Sequence, residues 1–231
     1  MLNLKTKFYS FFLIFLIGVL SINNFSNAGE KNKGGCADDL NQDALRIAKK
    51  AVKDYWIREK AWDAAKRIED VLVQEPRIYF GYDILKIFYC FHQKKCGQAV
   101  AILKKGIKYC PDYHGHYYGL AEVYVKMGLH ANALMYYKLA KDKGYPVIDY
   151  FYFKVAESHF ALKQIDEAIG NLRKALELNE KYFMARRNLI GLLYRSHKKQ
   201  EALEQARKLV AQKPDAKTLK WAKGIIEKMS R

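Results

Sequence analysis

All four prolines of this 231-residue chain stand on one ruler. Pro76, Pro111 and Pro146 are 35 residues apart, and Pro214 follows 68 later, twice 34, with the skipped slot near Glu180. A small residue recurs in step, at Ala64, Ala99, Ala133, Ala168 and Ala202, with spacings of 35, 34, 35 and 34. A period of this size belongs to a helical hairpin that cannot bury its apolar face alone and so stacks on its neighbours. The lattice predicts an all-α solenoid with hairpins at 45–78, 80–113, 114–147, 149–182 and 183–216, and a capping helix over 217–231.

Within each unit the first helix carries a close-packing pair three residues apart: Val52 with Tyr55, Ile87 with Cys90, Ala121 with Tyr124, Ala156 with His159, and Ile190 with Leu193. That spacing puts both side chains on one helix face. The second helix repeats the pattern, as in Ala64, Ile68 and Val71, or Ala168, Leu172 and Ala175. Small residues let the two helices approach, and bulky ones fill the space between hairpins. On these residues the chain resembles the tetratricopeptide repeat superfamily over about residues 45–216, which implies a right-handed α-solenoid. Three departures stand out. Asp83 and Lys86 replace apolar residues, so that helix is expected to shift by a residue; Gly106 is expected to leave a bulky slot unfilled; and Glu180 replaces a closing proline, which would let its helix run on.

Ahead of the repeats, Lys5 and Lys7, the apolar run Phe8 to Ile22 and the small residues Ser26-Asn27-Ala28 read as an export signal, residues 1–28. The apolar run is 15 residues, short of the roughly 20 that span a bilayer. Cleavage near Ala28 would leave an exported, periplasmic protein with a flexible leader over 29–44, its sequence Gly-, Lys- and Asp-rich up to about Gln42. The formal charge of +17 becomes +15 without Lys5 and Lys7, and the excess lies wholly from Arg77 onward, 29 basic against 14 acidic side chains. Such a field attracts acidic partners. Export argues against nucleic acid, and leaves acidic polypeptide or anionic envelope polymer and lipid, with membrane contact at most peripheral.

Four cysteines in an exported chain favour disulfides. Cys96 and Cys110 fall near opposite ends of one predicted helix, about 21 Å apart at 1.5 Å per residue, far beyond bridging distance. Cys90 and Cys96 face each other across a tight turn, which leaves Cys36 to reach Cys110; the alternative is four free buried thiols.

The common nucleotide, zinc-protease, redox and acyl-transfer motifs are absent, so the reading is a non-enzymatic protein with no cofactor. His114-Gly115-His116 could hold a metal only if a third ligand came from elsewhere, and no metal is assigned. The resemblance implies instead a concave wall lined by successive first helices. Mapped onto this chain, it comprises Lys49, Lys53 and Trp56; Ile84, Phe88 and Phe91; Tyr118, Glu122 and Val125; Phe153, Glu157 and Phe160; and Arg187, Gly191 and Tyr194. The wall is basic at each end and aromatic through the middle, suited to an apolar protein segment with acidic residues. Asn188 matches one position of the family's carboxylate clamp, but Phe153 and Glu157 stand where its partners would be, so binding of chaperone tails is not expected. Envelope assembly, secretion and cytochrome maturation are the candidate processes, by fold analogy alone.

Overall fold

The computed structural model describes Cys36, residues 40–57 and residues 60–230. The export signal and most of the leader lie outside the described residues, among which there are eleven α-helices and no strand. They pair as α1 (Gln42–Tyr55) with α2 (Ala61–Gln74), and α3 (Tyr79–Lys86), continued by a π-helix over Ile87–His92, with α4 (Cys96–Tyr109). Next come α5 (His114–Lys126) with α6 (His130–Asp142), α7 (Asp149–Ala161) with α8 (Ile165–Leu178), and α9 (Phe183–Arg195) with α10 (Lys199–Ala211). The last helix is α11 (Ala216–Ser230). The chain forms two compact units, residues 1–116 and 117–231.

In the first unit, α1 begins at Asn41, whose side-chain oxygen accepts from the backbone N–H groups of Asp43 and Ala44 at 3.0 and 3.1 Å. Such a cap satisfies donors that the helix leaves unpaired. The helix then buries Ala44, Ala48, Ala51, Val52 and Tyr55, the stripe of a 3.6-residue period, while α2 buries Ala64, Ala65, Ile68 and Leu72.

Asp83 is accommodated in α3 by polar partners. Its Oδ2 accepts from the Tyr113 hydroxyl at 3.1 Å, and its Oδ1 lies 3.8 Å from Nδ1 of His116. Burial raises the Asp83 pKa, but His116, Lys86 and Tyr113 outweigh it and hold the carboxyl below its ordinary value. His116, fully buried, also occupies the place beside Gly106: a Cβ at residue 106 would stand 2.8 Å from its Nε2. The expected empty slot is therefore corrected, because an imidazole from the next helix fills it.

The irregularity in this hairpin comes at its turn. In three other hairpins the chain closes on a residue in the left-handed region, Gly128 (φ 76°), Lys163 (61°) and His197 (57°). The following N–H then bonds a carbonyl five residues back, Leu129 to Tyr124, Gln164 to His159 and Lys198 to Leu193, each at 2.9 Å. Lys94 (59°) does the same job in the second hairpin, yet Lys95 bonds Tyr89, six back, at 2.8 Å. The π-helix has absorbed one extra residue. It stacks the His92 ring on Tyr55 at 5.6 Å between centroids.

Both disulfides lie in this unit and pair as the sequence predicts, Cys36 with Cys110 and Cys90 with Cys96, at Cα separations of 5.6 and 4.0 Å. They close loops of 74 and 6 residues. Loop-closure entropy puts their contributions at about 4 and about 2 kcal/mol.

The second unit has a continuous core in which Phe153, Ile169, Leu172, Leu189, Ile190, Leu193 and Leu209 pack around Ala168 and Ala202. The α11 helix covers its end with Ala222 and Met229 buried and Trp221, Ile225 and Ile226 packed alongside. Asp215 caps α11, accepting from the N–H groups of Lys217 and Thr218 at 3.0 Å each. Glu180 does not prolong α8, which stops at Leu178. Its carbonyl instead accepts from Nη2 of the buried Arg186 at 2.9 Å and from Nε2 of Gln212 at 3.1 Å. A side chain of the next helix thus ends the hairpin where proline does elsewhere.

Two predictions follow from this packing. Gly106→Ala should destabilise the protein by about 1–3 kcal/mol, because the new methyl meets a buried ring, whereas Gly170→Ala, in a helix with open space around it, should stabilise by roughly 0.5–1 kcal/mol. Urea denaturation of both variants measures the contrast. Burial lowers the pKa of His92 and of His114, for which Asp83 only partly compensates. The folded state therefore favours neutral imidazole, and stability should fall as pH drops below about 6.5, where the unfolded chain takes up the protons first. The urea midpoint at pH 7.5 should exceed that at pH 5.5, and His92→Gln/His114→Gln should narrow the gap.

Candidate functional site

On α1, Lys49, Lys53 and Trp56 fall on one face at helical spacing. Both lysines are exposed and line, with Arg46 and Lys50, a shallow depression of about 420 Å³. Trp56 is half-buried and meets Tyr55 edge-on at 5.6 Å. Of the aromatic residues expected beside it, Phe91 is 44% exposed and Phe88 only 7%. Ile84 is buried as well.

Phe88 is held by Trp62, Tyr89 and Tyr55 at 5.2, 5.4 and 6.4 Å. Trp62 is the residue that sequence reasoning missed. It stands one position into α2, 60% exposed, with its edge on Phe88. A large aromatic just after a hairpin turn, one helix before Phe88, is the signal that would have found it. The first unit therefore presents Trp62 outward over the buried Phe88 ring and exposes Phe91 on the same helix as Phe88, with Lys49 and Lys53 on α1.

The second unit has a different surface. Tyr118 is 8% exposed, stacked on Tyr145 with centroids 4.1 Å apart, and Phe153 is 3% exposed against Tyr182 at 5.1 Å. These two, like Phe88, are core packing residues and offer a partner little area. What remains accessible beside them is mixed. Glu122 and Val125 are half-buried on α5, and on α7 Glu157 takes an ion pair from Lys154 at 2.5 Å. Burial lowers the Lys154 pKa, but Glu157, Tyr150 and Glu122 raise it further, so the ammonium stays charged. Lys154, one residue after Phe153, is a second residue the sequence reading passed over.

Further along, Arg187 is exposed with its guanidinium 4.9 Å from the Trp221 ring, and Gly191 is half-buried. Phe160 and Tyr194, 42% and 39% exposed, stand at the ends of α7 and α9. Among the described residues no group of three or more His, Cys, Asp or Glu side chains could hold a metal ion. His114 and His116 are instead built into the packing around Asp83 and Tyr113.

Residues 154–217 match the family model for the tetratricopeptide repeat. A search of curated proteins found no match. Among solved structures, the chain is similar to YrrB, a TPR protein with an unusual peptide-binding site, at 20% identity and a TM-score of 0.59, over 72% of this chain and 84% of that one. It is similar to PilW, a widely conserved type IV pilus biogenesis factor, at 16% identity and a TM-score of 0.64, over 82% and 91%. A third likeness is to MamA from Desulfovibrio magneticus RS-1, at 16% identity and a TM-score of 0.64, over 73% and 94%. At these identities the likeness concerns the fold, the array of helical hairpins that its sequence period predicts. The tetratricopeptide repeat model is matched over residues 154–217, and the chain shares its helical-hairpin fold with these tetratricopeptide proteins across most of its length.

Proposed function

We propose that this chain is a non-catalytic adaptor that acts after export and holds a segment of a partner polypeptide on the faces of its first helices. The tetratricopeptide fold is a scaffold for protein–protein interaction, and the observation that carries the finer reading is the surface of the first unit. Trp62 lies exposed with its edge on Phe88, Phe91 is exposed three residues further along the chain from Phe88, and Lys49 and Lys53 line α1. Large rings on a preorganised floor bury apolar side chains of a partner with little loss of rotamer freedom, and flanking lysines favour acidic residues beside them. The buried ring of Phe88 supports this surface from beneath, so the contact residues are its exposed neighbours. In the second unit Glu122, Lys154, Glu157 and Arg187 supply charges of both signs that select orientation.

Export is supported by the sequence of residues 1–28 and by two disulfides, which persist in oxidising compartments. The peptide-binding site in the description of YrrB and the pilus role in that of PilW make an envelope assembly process the leading setting. Chemical cross-linking in an envelope fraction, followed by affinity capture, should recover one partner repeatedly. Trp62→Ala/Phe91→Ala should weaken its binding about 10- to 100-fold, the loss expected of two interface aromatics. Equal recovery by the double variant would remove this surface from the function, and an N-terminus still at Met1 in the envelope-purified protein would remove the cleaved signal.

A further inference from the structure

In the second unit each hairpin turns from its first to its second helix through a short segment: 126–130, 160–164 and 194–199. Five large apolar side chains are exposed there, Met127 (42%), Leu129 (44%), Phe160 (42%), Leu162 (38%) and Tyr194 (39%). Isolated exposed apolar residues are ordinary, but here each of the three turns exposes at least one, within three residues of its left-handed position. The same segments contain Lys126, Lys163, Arg195, Lys198 and Lys199 and no acidic residue. Lys163 and His197 occupy the left-handed positions of their turns. Successive turns meet: the Arg195 guanidinium lies 5.9 Å from the Phe160 ring, and Lys198 reaches Asp166, at the start of α8, at 3.0 Å.

The opposite ends of these hairpins decide what the pattern means. They also expose apolar residues, Ile148, Leu178 and Met184, but interleave them with Asp149, Glu177, Glu180 and Asp215. Asp166, Glu167 and Glu201 stand in the first turns of the second helices beside this edge, but its five basic side chains outnumber them, whereas acids prevail at the opposite ends. We infer that this edge of the second unit docks on an anionic phospholipid surface.

The chemistry selects a membrane over an acidic protein. Side chains at the tips of three separate turns each enter an interface independently, as the headgroup region of a bilayer permits. Phenylalanine, leucine, methionine and tyrosine beside lysine and arginine are the residues that peripheral proteins place at that depth. No described helix is long and apolar enough to cross a membrane, so the contact is peripheral. This surface is separate from Trp62 and Phe91 of the first unit, so it stands or falls independently of the polypeptide-binding reading.

Because Phe8 to Ile22 could itself enter a bilayer, the test reads the edge site by site in the full chain. Leu162→Trp and Ile148→Trp each add one indole to the parent protein, on the proposed edge and opposite it. With vesicles of brominated phosphatidylglycerol and phosphatidylcholine, the fluorescence added at 162 should be quenched at least twofold and that added at 148 should not. Lys163→Glu/Lys199→Glu should reduce the quenching at 162 at least tenfold at a fixed subsaturating lipid concentration, on the order of fivefold for each lysine lost. Vesicles of phosphatidylcholine alone should quench neither. Equal quenching at both positions, or none at 162, would overturn the proposal. Binding of polyglutamate at this edge without vesicle quenching would overturn it in favour of an acidic polypeptide. Unchanged thermal midpoints of these exposed turn variants confirm that folding is not the variable.

Discussion

One alanine in every hairpin allows the second helix to approach, and the rest of the structure depends on that contact. Ala64, Ala99, Ala133, Ala168 and Ala202 are each fully buried. A close-packed interior leaves no room for added methylenes at such a point, and an extra group displaces both helices. The spacing of these alanines sets where each hairpin begins and how far its helices extend before turning. Gly81 works in the same way, its α-carbon so near Ile68 and Leu72 that a Cβ would stand 3.1 and 3.2 Å from them.

The first unit departs from this plain alternation of small and large. An aspartate and a histidine enter its interior, made tolerable by mutual proximity and by the Tyr113 hydroxyl, since a buried charge without partners would be costly. An extra residue enters its second hairpin and is taken up as a π-helix, a form that occurs often at functional sites. The two disulfides bracket this irregular region, one joining the end of the π-helix to α4 and the other tying Cys36 to the end of α4. The exposed rings proposed as the polypeptide contact stand on the same hairpins. Irregular backbone, covalent staples and exposed aromatic area coincide.

The two units divide the chemistry. The first exposes Trp62 and Phe91 among charges of both signs, and the second offers carboxylates and lysine on its first helices with apolar-tipped, net basic turns. The strong positive charge of the chain is therefore not one diffuse field. In the second unit the segments 126–130, 160–164 and 194–199 carry five basic and no acidic side chains, and α11 carries four lysines against Glu227, while Glu122 and Glu157 keep the first-helix face mixed. Charge placed this way sets which partner meets which surface, a matter of orientation more than of affinity.

The sequence by itself determined the repeat, the helical hairpins and the capping helix. All of these rest on relations between residues a few turns apart or on a constant period, which the chain displays directly. Only the tertiary structure decided which aromatic residues are surface. Phe88, Tyr118 and Phe153 share the helical phase of Phe91 and Phe160, yet Trp62, Tyr145 and Tyr182 close over them from other helices and loops. His116 filled the place beside Gly106, and Arg186 took over the stop at Glu180, for the same reason. A side chain's phase on its helix is local, but its exposure is set by what packs against it from elsewhere in the chain, and a period cannot carry that information.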